Sequence, residues 1–316
     1  LMAAVCRGEL LEEIQRMAFV LTADREAALQ DCLSLLRQLQ KGFFLPLPHG
    51  LSYRLERTEQ LLNLFFTGDR RYVLYLQYGK DGSPSLCAAS RKLPEQLDRA
   101  LWMQNVPVIL TSGTLMAGGS FDRTKQIMGL SSHRRLEDFV AVSPFHYQEN
   151  CILYFPEMVQ KIQMGSEQEA EYLAEQICRL VKATHGHTLV LFTSYSLMGA
   201  VYHQVKDRLA FPLMEVWRHS QDVIHQFKQA SNAVLFAAGS CWEGVDFPGD
   251  MVSSLIIARL PFPVPDPLSE AEREQYPTLQ DYIKAVVIPD MQVKLRQGFG
   301  RAIRTETDTC VVSILD

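Results

Sequence analysis

Gln297, Arg301 and Arg304 in the octet QGFGRAIR carry the strongest chemical signal in the chain. On a helix they fall at i, i+4 and i+7, so all three leave one face. Two guanidinium groups a turn apart, beside an amide, suit a ligand with several anionic oxygens, because each guanidinium presents a planar pair of donors. Gly298 and Gly300 each cost a helix about 1 kcal/mol against Ala. Their presence is expected where something must approach the backbone closely. The competing reading is a solvated basic helix face.

Three other stretches end an apolar, strand-like run in a polar elbow. TLVLF leads into Thr193, Ser194 and Tyr195; AVLFAA leads into Gly239 to Gly249, around Trp242, Glu243, Gly244 and Asp246; VPVIL leads through Thr111 into Ser112, Gly113 and Thr114. Acids in a Gly-rich loop can hold a water or a metal-bound phosphate, while free backbone N–H groups take phosphate oxygens. Right-handed parallel crossovers put strand tips on one edge, so the first two elbows are expected to share a crevice. Each elbow alone also reads as a plain turn. A cluster of Arg123, Lys125, Arg134 and Arg135 reads as solvated surface or as a phosphate track.

The elements that must position these residues follow from periodicity. Residues 9–41 and LERTEQLLNLFF recur apolar at three and four, which predicts helices. YVLYLQY, a turn at GKDGSP and SLCAAS predict a β-hairpin, followed by a helix over 93–104 and a buried-type strand at VPVIL. Beyond Phe139, strands (CILYFP, TLVLFTSY, LMEVW, AVLFAAGS, VSSLIIARLP, TCVVSIL) alternate with helices, among them EQEAEYLAEQICRLVKATHG ending at Gly186. That order means βαβ units and a parallel sheet in an α/β layer fold.

Composition narrows the class. The chain of 316 residues can bury a sizeable core, and a net charge of −5 argues against a generally basic, sequence-blind nucleic-acid binder. No apolar run reaches the ~18 residues that a membrane helix needs. Seven dispersed cysteines without a CxxC pair point to reduced thiols and the cytoplasm, and no metal-ligand spacing is present. A dinucleotide fingerprint fails at GFGRAI, where Ile303 occupies the third glycine position. Starting on Leu1 rather than Met, the chain is expected to be a piece of something longer.

Taken together, TSGTL, LFTSY, GSCWEGVDFPG, RLPFPVPDPL and QGFGRAIR resemble motifs III to VI of the superfamily 2 DNA helicases, and more closely the DinG branch of the iron–sulfur XPD/DinG family. The likeness covers roughly Tyr72 to the C-terminus. It implies a RecA-like parallel sheet flanked by helices, the second helicase motor domain, preceded by a mainly helical segment with a short β-hairpin. It further implies that Gln297, Arg301 and Arg304 reach across an interdomain cleft to the ATP γ-phosphate. Glu243, Gly244 and Asp246 would link the nucleotide to the DNA, and Ser112, Gly113 and Thr114 would couple hydrolysis to domain movement. Thr193 and Ser194, with Tyr195 beside them, would contact single-stranded DNA. Cys241 departs from the family, which commonly carries an aromatic there.

No GxxxxGK[ST] loop, no DEAH-type tetrad and no four-cysteine cluster occurs in the chain. The resemblance therefore implies the C-terminal half of a 5′-to-3′ DNA helicase, with ATP and Mg²⁺ held mainly by an N-terminal motor domain of the same polypeptide. A 4Fe–4S cluster would belong to that longer parent, not to this chain. The expected divisions are 1–70, a helical, arch-like segment; 71–138, a remnant of the first motor domain; and 139–316, the second. Alone, the chain is expected to be inactive as an ATPase. The alternative is a RecA-like nucleic-acid or partner-binding module that has lost catalysis.

Overall fold

The computed structural model describes residues 16–42, 48–79, 83–104, 106–133, 135–157, 162–217, 221–242, 249–303 and 305–316, together with Val5, Val245 and Phe247. These form two compact units, one of residues 1–108, 125–134 and 264–283, the other of 109–124, 135–263 and 284–316. Among the described residues no helix is long and apolar enough to cross a membrane.

In the first unit, strands β1 (Arg16–Ala18), β2 (Tyr72–Tyr78) and β3 (Pro84–Ser90) form an antiparallel sheet in that order. Helices α1 (Ala23–Gly42) and α2 (His49–Thr67) supply Leu29, Leu33, Leu62 and Phe65 to a core with Leu76 and Leu86. The hairpin is as the alternation predicts. The single helix expected over 9–41 is not: residues 16–18 pair with β2, Arg16 opposite Gln77, and α1 begins only at Ala23. Residues 9–15 lie outside the described set. Apolar spacing at three and four cannot register that β2 offers an open edge whose N–H and C=O groups need partners. Phe19 then packs edge-on against Phe65, ring centroids 4.7 Å apart. In the same unit Asp266 caps the helix Pro267–Arg273, accepting from the N–H groups of Leu268 and Ser269 and from Arg16 at 2.9 Å.

The second unit is built on six parallel strands. They are β4 (Cys151–Tyr154), β5 (Thr188–Phe192), β6 (Leu213–Val216), β7 (Val234–Ala238), β8 (Ser254–Ile257) and β9 (Cys310–Ile314), ordered β4-β9-β8-β5-β7-β6. Between them run α3 (Glu167–Ala183), α4 (Tyr195–Val205), α5 (Gln221–Gln229) and α6 (Ile288–Phe299). Side chains alternate across β5: Val190 and Phe192 meet Ile177, Met198 and Val201, while Leu189 and Leu191 meet Phe227, Trp242 and Ile303. Both faces are covered, which is why β5, β7 and β8 are buried along their whole length and, after Thr188 and Ser254, read as continuous apolar runs. At the end of α3, Gly186 takes φ +85°, and a Cβ there would meet the carbonyl oxygen of Asn232 at 2.2 Å, so only glycine fits.

VPVIL is the second departure. Residues 106–112 form no strand, and Val106 and Ile109 are 66% and 88% exposed. An apolar run becomes a buried strand only when neighbouring strands take its backbone groups, and among the described residues none pairs with it.

Candidate functional site

The C-terminal edge of the parallel sheet brings together Thr193, Ser194 and Tyr195 with Trp242 and Arg301. Past the tip of β5, Ser194 adopts extended backbone and its Oγ accepts from the Leu197 N–H at 3.2 Å, capping α4. Thr193, Ser194 and Tyr195 are all half-buried. Tyr195 reaches over the tip of β7: a Cβ on Gly239, which has φ +61°, would lie 2.8 Å from its Oη. The start of the β5 elbow therefore lies beside that of the β7 elbow on one edge of the sheet.

Beyond β7 the chain makes a 3₁₀ turn, Gly239–Trp242. Trp242 is 1% exposed. Its indole N–H donates to the carbonyl of Phe192, the last residue of β5, at 2.8 Å, which satisfies the one polar atom of a buried ring. Lys294 of α6 lies 5.8 Å from the ring centroid. Gly298 closes the other side: a Cβ there would meet Trp242 Cζ3 at 2.7 Å and Leu191 Cδ1 at 3.2 Å. The close approach expected at Gly298 is thus made by an indole of the chain itself. Gly300 differs, with nothing nearer than 3.5 Å to its hypothetical Cβ.

Arg301 is 8% exposed. Its Nε and Nη2 donate to the Trp242 carbonyl, each at 3.3 Å, and its Nη1 donates to the Val245 carbonyl. The fork expected to face a polyanion here clasps the backbone of the loop after β7. Helix geometry for the octet also needs correction: α6 ends at Phe299, the Gly300 N–H bonds to the Arg296 carbonyl at 2.9 Å, and Arg301 lies in the following turn. Two glycines in three residues weaken the helix enough to stop it before Arg301. Gln297 remains on α6, half-buried; Arg304, Glu243, Gly244 and Asp246 lie outside the described residues. Burial pushes the Cys241 thiol above its ordinary pKa, partly offset by the positive charge of Arg301.

Ser112 and Gly113 are exposed and Thr114 is half-buried, and the Thr114 N–H donates to Ser112 Oγ at 3.2 Å in a local turn. The segment just beyond is fixed to α6. Arg123 grips both carboxylate oxygens of Asp290, at 2.8 and 2.9 Å, and Arg296 donates to the Met116 carbonyl at 3.0 Å. Arg123 is therefore an ion-pair partner and not part of a free basic track; Arg135 is exposed, and Arg134 lies outside the described residues.

Sequence reasoning missed Trp217, one residue past β6. It stacks on Tyr195, centroids 5.6 Å apart and planes at 16°. A signal existed, since an aromatic directly after a strand tip lands on the same edge as the elbows. Among the described residues no cluster of His, Cys, Asp and Glu could hold a metal ion.

Residues 177–316 match the helicase C-terminal domain family. Among curated proteins, the chain is 36% identical over 213 residues to the ATP-dependent DNA helicase YoaA of Haemophilus influenzae, covering 66% of this chain and 32% of that one. It is 32% identical over 254 residues to the ATP-dependent helicase DinG of Mycobacterium tuberculosis, covering 78% and 38%. The chain thus spans about a third of the length of these relatives. Two solved XPD structures, XPD_Helicase and XPD_APO, share the fold at TM-scores of 0.61 and 0.59 and 19% identity, each over 97% of this chain and over 55% and 61% of theirs.

Proposed function

The chain belongs with the DinG/XPD-like superfamily 2 helicases, matching their C-terminal half, and from that footing we propose that it forms the second motor domain of an ATP-dependent DNA helicase. In this reading residues 1–70 are the arch-like segment, 71–138 part of the first motor domain, and 139–316 the second. ATP and Mg²⁺ are held chiefly by an N-terminal motor domain of the same polypeptide, which supplies the phosphate-cradling loop and the acids that these 316 residues lack. Arg301 and Arg304, with Gln297, then place donors on the γ-phosphoryl group. Positive charge there stabilises the equatorial oxygens most in the transition state. Thr193, Ser194 and Tyr195 line the path of a single DNA strand.

The match of residues 177–316 to the helicase C-terminal domain family supports this reading, and the clasp of Arg301 on the carbonyls of Trp242 and Val245 bears on how it would work. A guanidinium already committed to this loop must leave it to reach a phosphate, and the loop is then released. Glu243, Gly244 and Asp246 adjoin Trp242 and Val245 in the sequence, so phosphate engagement would be communicated through them to the Trp242 side of the β5 tip and hence to the DNA path. Ser112, Gly113 and Thr114 are the second coupling element, through the segment tied to α6 by Arg123 and Arg296. The test is DNA-stimulated ATP hydrolysis by the full-length protein beside that of the present chain. Turnover in the former and none in the latter is expected.

The same clasp favours one other reading, a binding module in which Arg301 only holds the loop. That reading predicts single-strand binding by a full-length protein that never hydrolyses ATP.

A further inference from the structure

Trp217 has no part in the motifs, yet it lies on the edge they occupy. It follows β6, the edge strand beside β7. The indole lies across one side of α4, stacked on Tyr195 and with Cη2 and Cζ2 3.7 and 4.0 Å from where a Cβ of Gly199 would stand. Tyr195 and Gly199 are one helical turn apart, and the indole lies along that face at ordinary van der Waals distance from position 199. Trp217 is nonetheless 44% exposed. Tyr195, for its part, is held over Gly239, whose positive φ brings the β7 backbone under its hydroxyl.

A ring set in place on one side and open to solvent on another offers a ready surface on which a flat group can stack. We infer that Trp217, backed by Tyr195, is a stacking platform for a nucleobase of the single strand that runs along this edge. This rests on the reading of the edge as a DNA path. It adds a contact to a base where the elbows offer contacts to phosphates. Stacking on an aromatic face tolerates any base, so the platform holds the strand without selecting sequence. The aromatic pair also has little conformational freedom left to lose on binding.

The test compares two probes of equal length, an oligothymidylate and an abasic strand carrying the same phosphates, titrated against the protein at several salt concentrations. The protein should prefer the oligothymidylate, and Trp217→Ala should weaken that complex about tenfold while leaving the abasic complex and the salt slope unchanged. Trp217→Phe should keep most of the preference, which guards against a folding defect in the Ala variant. Indole fluorescence of the unmutated protein should be quenched by the oligothymidylate alone, since Trp242 is buried and Trp102 is half-buried, its N–H donating to the Met128 carbonyl at 2.6 Å. Equal binding of both probes, unaltered by Trp217→Ala, overturns the platform and leaves the phosphate path standing. Binding of neither probe overturns both.

Discussion

Gly298 and Trp242 are in contact so close that a single added methyl would sit 2.7 Å from the indole. The ring cannot retreat, because its N–H is bonded to the Phe192 carbonyl and its surroundings are buried. Gly298→Ala should therefore destabilise the protein by about 1–3 kcal/mol through overpacking, despite the better helix propensity of Ala. Gly300→Ala, with only ordinary contacts at 3.5 and 3.6 Å and φ −64°, should be neutral or slightly stabilising. Urea unfolding of the two variants measures the contrast, and equal losses would mean that the indole does not dictate the glycine.

That pair also marks the limit of what sequence can show. The motifs, the βαβ order and the burial of TLVLF and AVLFAA were legible because each depends on local pattern and fixed crossover handedness. What fills the space over Gly298 was not, since Trp242 is brought there by the sheet and not by proximity in the chain. The same holds for Arg301, whose donors found backbone carbonyls after α6 stopped short. Residues 16–18 and VPVIL were misread for a related reason: whether an apolar stretch becomes a strand depends on a neighbour with open backbone groups, and that neighbour lies far off in sequence.

Ser194 has two roles that can be separated. Its Oγ caps α4, so Ser194→Ala should cost about 1 kcal/mol of stability. Asp caps as well as Ser, so Ser194→Asp should retain stability while placing a negative charge beside the proposed phosphate path. Single-strand binding by the Asp variant should fall well below that of the Ala variant at low salt, and the gap should close as salt rises. If both variants bind DNA like the original, the β5 elbow is a helix cap and nothing more.

Cys310 is buried, and its pKa is pushed up to about 12 by desolvation, with Cys151 beside it adding to the rise. At pH 8 only about one thiol in ten thousand would be thiolate, the form that reacts. Alkylation mapped by mass spectrometry should therefore label the half-buried Cys87 long before Cys310, and raising the pH by one unit should speed the Cys310 reaction about tenfold. Equal labelling of both in the native protein would contradict the packing of β9 against β4.

The account turns on Arg301 as the residue that exchanges a loop for a phosphate. In the full-length protein, Arg301→Lys places one compact charge where a planar fork spans two carbonyls, and it should restore neither contact. The decisive measurement is DNA-stimulated ATP hydrolysis by that variant, with nucleotide affinity measured in parallel. Turnover should fall by about two orders of magnitude or more while ATP still binds, because the lost charge placement matters most in the transition state. Near-normal turnover in Arg301→Lys would contradict the assignment of Arg301 to the phosphate.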